Sequence, residues 1–247
     1  MKLKKPKLIN YWRENGEKAL PYLKDRSVTL EHVFDGKAVY RRYEPGSDKE
    51  PITISSLEDI IDKAEQYVYS FHPYIYSNVT NKGWFVLDID DKAGDFELIK
   101  KIAYETAKVL GEDRGDFMLK FCGKDGFHII FEWEDEMSES KCYQIGREYA
   151  FELAKKVYKR MNSGINIDFS AADQQDFLAA NGERSKFESS NTNHNSLPTV
   201  VFDTKILHKH GNIRSPYSIH TSTNLASIPV SPDEIINFRK KHAAINS

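Results

Sequence analysis

Three groups of residues carry the chemistry open to this sequence. The first is Asp88 and Asp90, set in Trp84-Phe85-Val86-Leu87-Asp88-Ile89-Asp90-Asp91. Four apolar residues run into alternating acids, the pattern of a buried strand with a polar end. Side chains alternate along a strand, so the two carboxylates share a face about 7 Å apart, with Ile89 turned to the core between them. Hard oxygen donors so placed suit Mg²⁺ or Mn²⁺. The competing ordinary reading is a strand that runs into an acidic turn. A third acid, Asp203, ends another apolar run, Thr199-Val200-Val201-Phe202. Three carboxylates from two strands could hold two divalent ions, an arrangement that clamps the attacking and leaving oxygens of a phosphoryl transfer.

The second group is Cys122-Gly123-Lys124-Asp125-Gly126-Phe127-His128. Two glycines let backbone amides approach an anion closely. Lys124 adds charge, and His128, two residues past the turn, could donate to a phosphate oxygen. The ordinary alternative is a glycine hairpin turn beside a core histidine. The third group lies in Arg214-Ser215-Pro216-Tyr217-Ser218-Ile219-His220. On an extended segment Ser218 and His220 share a face, and Arg214 joins them if the bend at Pro216 keeps register. A guanidinium, a hydroxyl and an imidazole on one face would clamp a triphosphate.

The elements that must position these groups can be read along the chain. Residues 8–24 have helical spacing, weakened by Gly16. Ser27 to Glu31 alternates as a strand, and Asp35-Gly36 signals a hairpin. Ile52-Thr53-Ile54 reads as a short strand. Ser55 or Ser56 caps a helix with Leu57, Ile60, Ile61, Ala64 and Val68 on one side. His72 to Ser77 is an extended connector. Phe96 to Leu110 is a helix closed by Gly111, with Lys100, Lys101 and Lys108 outward. Residues 117–121 and 127–133 form a hairpin, so the sheet is at least partly antiparallel. A long amphipathic helix runs from Ser138 to about Met161, its outer face basic with Lys155, Lys156, Lys159 and Arg160. Residues 163–199 are irregular, and 232–243 form a terminal helix opened by Ser231-Pro232.

Composition narrows the class. The 247 residues are 40% hydrophobic and 29% charged, with a formal net charge of −2, the profile of a folded globular chain. That charge does not by itself point to nucleic acid, though a local basic groove is compatible with it. Two cysteines, Cys122 and Cys142, cannot by themselves make a four-ligand zinc site, and they do not suggest a disulfide scaffold. No apolar run is long enough to span a membrane and no signal core follows the N-terminus, so a cytoplasmic location and no membrane partner are expected.

Order and spacing then carry a resemblance. An apolar strand with Asp-x-Asp, a Gly-x-x-Gly-x-His turn, an apolar strand with Asp, and Arg-x-Pro-Tyr-Ser-x-His form the motif series of the archaeo-eukaryotic primase superfamily. Leu87 to Asp90 is similar to its first motif, Cys122 to His128 to its second with Cys122 where Ser is usual, and Phe202-Asp203 to its third. Residues 214–230 resemble the primase small subunit. Tyr11-Trp12 and Arg26 to Leu30 resemble, more weakly, the polymerase domain of bacterial end-joining ligases. The chain departs from the pattern after His220, where Thr221-Ser222-Thr223-Asn224 replaces a Lys-containing segment.

The resemblance implies an α+β primase-polymerase core: an N-terminal α/β module over 1–80, an RRM-like module with a mixed or antiparallel sheet over 81–235, an irregular insertion near 163–199, and a terminal helix over 232–247. It implies DNA-dependent nucleotidyl transfer from NTPs or dNTPs, synthesising or extending primers. Asp88, Asp90 and Asp203 would be the catalytic acids and the ligands of two Mg²⁺ or Mn²⁺ ions, with no zinc. Cys122, Gly123, Lys124, His128, Arg214, Ser218 and His220 would hold the nucleotide. The partners implied are single-stranded or primed DNA and a helicase, nuclease or other replication or CRISPR protein; replication, repair, a mobile element and CRISPR-associated synthesis all stay open. Two alternatives remain at this point. One is a primer-dependent repair or gap-filling polymerase without initiation. The other is a non-catalytic nucleic-acid-binding relative, which predicts lost acids and a stripe of exposed aromatics.

Overall fold

The first helix, α1 (Lys5–Ala19), forms around Leu8, Trp12, Gly16 and Ala19, the four positions it buries. The computed structural model describes residues 3–47, 49–91, 94–161, 166–170 and 199–245. A Cβ at Gly16 would stand 2.4 Å from Leu57 Cδ1, so the glycine that weakens α1 as a helix lets it pack on the next one. Strands β1 (Val28–Phe34) and β2 (Lys37–Arg41) form the expected hairpin. Asp35 (φ +44°) and Gly36 (φ +82°) are both left-handed, as a two-residue turn with the strands' own twist requires. Helix α2 (Leu57–Glu65) starts at a capping box between Ser56 and Asp59.

Val68, expected on α2, instead opens β3 (Val68–Pro73), because Tyr67 (φ +62°) breaks the helix before it. Most of the expected connector 72–77 is also in strands: β3 pairs antiparallel with β1, giving the sheet order β2-β1-β3. Residues 52–54 make an isolated bridge rather than a strand, Thr53 with Ser27.

The second sheet is built on β5 (Lys82–Asp91). The strands β6 (Met118–Phe121) and β7 (Phe127–Glu132) lie on one side of β5, and β8 (Asn166–Ser170) and β9 (Thr199–Asp203) on the other, in the order β6-β7-β5-β9-β8. A short β4 (Tyr76–Ser77) pairs with the start of β5. All contacts are antiparallel except β8 with β9. Odd-numbered residues of β5 (Phe85, Leu87, Ile89) enter the main core under helices α3 (Phe96–Asp113) and α4 (Glu139–Arg160). Period-two alternation therefore turns Trp84, Val86, Asp88 and Asp90 to the other face. On that face Trp84 and Val86 are buried with Ile130 and Tyr76.

Helix α3 runs through Gly111 to Asp113 rather than closing at Leu110. Lys100, expected on its outer face, is buried, and its Nζ donates to the carbonyls of Ile236 (2.9 Å) and Phe238 (3.3 Å). Those carbonyls are thereby taken from any helix there. The expected helix 232–243 is accordingly reduced to α5 (Pro232–Ile235) and a 3-10 turn at Lys240–Ala243.

Residues 212–230 join the two sheets. Ser215 and Ile219 donate their N–H groups to the carbonyls of Phe71 and Tyr69 on β3, while Val230 donates to Leu119 and Phe121 donates to Ile228 on the β6 side. Arg26 ties the sheets at another point: it stacks 3.8 Å over the Trp84 ring and pairs with Glu132 at 2.9 Å. The result is a mixed α+β fold with largely antiparallel sheets and a cleft between them.

Candidate active site

Strand register assembles the acids. Asp88 stands opposite Asp203 on one side and opposite His128 on the other, and His128 stands opposite Lys120. Directly opposed residues share a face, so Lys120, His128, Asp88 and Asp203 form one row across the sheet, with Asp90 two residues further along β5. Asp88, Asp90, Asp203, Cys122, Lys124, His128, Arg214 and His220 all line one cleft of about 760 Å³ between the sheets. Ser218 does not line it. The alternation through Arg214, Ser218 and His220 breaks at Tyr217, which is left-handed (φ +66°). Ser218 is wholly buried, accepting from Phe71 N–H (2.9 Å) and bonding Ser215 Oγ (2.8 Å). It fastens the 212–230 segment to β3.

Both glycines of the turn are demanded by geometry. Gly123 is left-handed (φ +94°), and a Cβ there would meet His220 Cβ at 2.9 Å. A Cβ on Gly126 would stand 2.6 Å from both Asp90 Oδ1 and the Ile89 carbonyl oxygen. The turn is thus pressed against the acids. Cys122 Sγ accepts from the N–H of Lys124 (3.4 Å) and of Gly126 (3.2 Å), so two of the turn's amides serve the turn itself. Lys124 is exposed at the cleft, and Asp125 beside it is held by Lys240 at 2.5 Å.

The acids are electrostatically unbalanced. Burial raises Asp88 and Asp90 well above the ordinary carboxylate range; for Asp90 the charges of Asp88 and Asp203 add to it. Burial also raises Asp203, partly offset by the Lys205 N–H, which donates to it at 2.7 Å. His128 Nε2 lies 3.2 Å from Asp88 Oδ1 but off the line of a hydrogen bond, and that oxygen is buried without a partner. An orphaned buried carboxylate oxygen and three mutually repelling acids are the donor set a hard divalent cation fits. Among the described residues no group of three His, Cys, Asp or Glu side chains stands in metal-ligand positions; the acids are neighbours by strand register. His208 and His210 line the outer part of the cleft.

A second set of ionisable groups, of which Glu31 and His72 were not foreseen from the sequence, meets the same cleft through His72, Arg214 and His220. Glu31 is buried and accepts from His72 Nε2 (3.0 Å), Arg214 Nη1 (3.0 Å) and Thr221 Oγ1 (2.6 Å). Burial pushes Glu31 upward, but these three donors outweigh it and hold the carboxyl at about 2. Burial lowers His72 to about 4 against the pull of Glu31. Arg214 is thus fixed by Glu31, Ser70 Oγ and the Ile219 carbonyl. Burial and the neighbouring Arg214 lower His220 to about 4, and its Nδ1 accepts from Ser222 N–H at 3.3 Å, which leaves its ring proton on Nε2. Lys120 was also missed, although counting outward from the Cys122–Gly126 turn sets it opposite His128. It is completely buried, and burial lowers it to about 7.

Much of the basic outer face of α4 is paired: Lys156 with Asp113 (2.6 Å) and Arg160 with Glu112 (2.8 Å) of α3, and Lys155 with Glu152 of its own helix (3.0 Å). The loop 183–199 lies outside the described residues, save Thr199 at the start of β9. Phe127 and Phe131 are core residues rather than a stacking platform. Among the described residues no helix is long and apolar enough to cross a membrane.

A three-acid row on an α+β sheet, faced by a glycine turn and basic side chains, defines a primase-polymerase type of site. The chain belongs to the family described as the LigD primase-polymerase domain, whose model matches residues 4–176. Members are typically nucleotidyltransferases that work with divalent metal. That match takes in Asp88, Asp90 and the glycine turn and ends before Asp203. The fold is similar to a solved structure described as the polymerase domain from Mycobacterium tuberculosis Ligase D in complex with DNA. The TM-score is 0.73 at 13% identity, over 97% of this chain and 87% of that one. No curated protein matches the sequence.

Proposed function

We propose that the protein is a DNA-dependent primase-polymerase that transfers nucleotidyl groups from NTPs or dNTPs to a growing 3′ end. The observation that carries this reading is the row of Asp88, Asp203 and His128 in direct cross-strand register, with Asp90 beside it, on the floor of a basic-rimmed cleft. Asp88, Asp90 and Asp203 would hold divalent cations, which when bound activate a 3′-hydroxyl and stabilise the pyrophosphate leaving group. Lys124 and Arg214 would bind the triphosphate, and His128 and His220 would donate N–H groups to its oxygens. Gly123 and Cys122 shape the turn that presents Lys124. Ser218 acts one layer back, by anchoring the segment that carries Arg214 and His220.

Template binding is supported by the β1–β2 hairpin rather than by α4. The hairpin exposes Phe34, Val39 and Tyr40 beside Lys37 and Arg41, and Arg42 reaches the cleft. Exposed aromatics among basic side chains suit stacking and phosphate contact with a nucleic acid strand. Family membership favours one narrower reading, a repair polymerase that extends primed DNA without initiating.

Both readings meet in one assay. The chain is incubated with single-stranded or primed template, NTPs or dNTPs and Mg²⁺ or Mn²⁺, beside Asp88→Ala/Asp90→Ala. New strands on unprimed template mean a primase; extension of primed template alone means the narrower polymerase. Equal activity in the double variant overturns the assignment of the acids.

A further inference from the structure

Lys120 has no part in the reading above, yet it is completely buried directly behind His128, in the row that leads to the acids. Its Nζ lies 2.6 Å from His128 Nδ1 and 2.9 Å from Ser227 Oγ. The Ser227 hydroxyl proton is committed to the Phe121 carbonyl at 2.8 Å, so Ser227 can only accept from Lys120. An ammonium group has no lone pair. Where Lys120 is charged, His128 Nδ1 therefore accepts from it and the single N–H of a neutral imidazole falls on Nε2; where Lys120 is neutral it can still donate to Nδ1, and the contact of Nε2 with Asp88 keeps the same tautomer. If the proton crosses the short Nζ–Nδ1 contact, the ring carries hydrogen on both nitrogens and Nε2 keeps its own. The arrangement excluded is a bare Nε2 lone pair 3.2 Å from Asp88 Oδ1, two acceptors face to face.

We propose that Lys120 is a positioning residue: it fixes His128 with Nε2–H turned to the cleft. Because that N–H is not aligned on Asp88, it is left to donate to an anionic oxygen in the cleft, a triphosphate oxygen if the nucleotidyl-transfer reading holds. The kinetic consequence rests on that reading; the placement of the proton does not. The geometry is over-determined. Lys120 is also held from its own strand, since β6 bridges to Pro229 at Lys120 and the Ser227 that receives its second hydrogen bond belongs to the same returning segment. The segment that carries Arg214 and His220 thus also fixes the residue that orients His128.

Imidazole ¹⁵N NMR of the wild-type chain reads which ring nitrogen carries hydrogen, without need of activity. Hydrogen on Nε2 is expected; a neutral ring with hydrogen on Nδ1 alone overturns the proposal. Primer extension with dATP and Mn²⁺ then reads the consequence. Lys120→Met should raise KM for dATP about tenfold, the loss expected for one misdirected hydrogen bond to an anionic oxygen, with a smaller change in kcat. Lys120→Gln, which keeps an N–H donor, should recover part of it. In the His128→Ala background Lys120→Met should add nothing, because it acts through His128. Losses that multiply in the double variant overturn the proposal. An inactive wild type would instead overturn the nucleotidyl-transfer reading, and the NMR result would still decide the placement of the proton.

Discussion

Two acidic centres, Glu31 behind His72 and Arg214 on one side and the aspartate row on the other, flank the same cleft and are treated in opposite ways. Glu31 is closed: three donors within 3.0 Å satisfy it, and they hold it at about 2. Asp88, Asp90 and Asp203 are open: they face each other, and Asp88 keeps a buried oxygen without a hydrogen-bond partner. Both sit on strands, but Glu31 is buried and the three aspartates are half-buried, a difference that by itself would raise Glu31 the more. What separates them is the arithmetic of charge. Glu31 has an arginine and a histidine at contact. The acid row has Lys120 one residue behind, beyond His128. A closed cluster fixes structure, whereas an open one is completed by something that arrives.

The comparison can be broken at several points. Replacing Asp88 and Asp90 by Asn should lower primer extension by about a thousandfold or more, since it removes the groups proposed to hold the cations. The same variant should melt no lower than wild type, because it relieves repulsion. Glu31→Ala should do the converse. It leaves the half-buried Arg214 without its acid, a loss of about 2–4 kcal/mol, which denaturant unfolding would read; an unchanged midpoint would sink the view of Glu31 as a structural anchor.

Acidity sharpens the contrast because the signs differ. Asp90, raised to about 7 by burial and the neighbouring acids, contributes stability at low pH and loses it as pH rises from about 4 to about 7. The gain in melting temperature from Asp90→Asn should therefore be larger at pH 8 than at pH 5. His72, lowered to about 4, stabilises above its unfolded value near 6.5 and loses that contribution as pH falls toward 4. Glu31 follows between its unfolded value near 4.5 and about 2. A His72→Gln variant should accordingly lose stability less steeply than wild type between pH 6.5 and 4. The smallest effect is expected on the outer face of α4. Lys156→Ala and Arg160→Ala remove exposed pairs with α3, worth about 0–1 kcal/mol each, and should leave primer extension unchanged.

The open cluster was legible in the sequence and the closed one was not. Asp-x-Asp on an apolar strand announces two carboxylates on one face, and Asp203 repeats the pattern on a strand that turns out to be its direct neighbour. The glycine turn was equally plain, although the left-handed backbone of Gly123 was not read from it. Glu31, His72 and Arg214 come from β1, β3 and a segment that returns after β9. No local pattern brings them together, because the contact is made by sheet pairing and by the 212–230 crossover. Ser218 was misplaced by strict alternation, which the left-handed Tyr217 interrupts. Lys100 and the basic face of α4 looked like solvent-facing charge; their partners, the carbonyls of Ile236 and Phe238 and the acids of α3, lie on other elements.

On the proposed function the acid row is left unbalanced in order to hold divalent cations for nucleotidyl transfer. Mn²⁺ titrated into the wild-type chain at pH 7.5, and into Asp88→Asn/Asp90→Asn, tests it most directly, with free Mn²⁺ read by electron paramagnetic resonance. Saturable binding to the wild type, lost in a double variant that still melts as high, is the predicted result. Equal binding by the two proteins would contradict it.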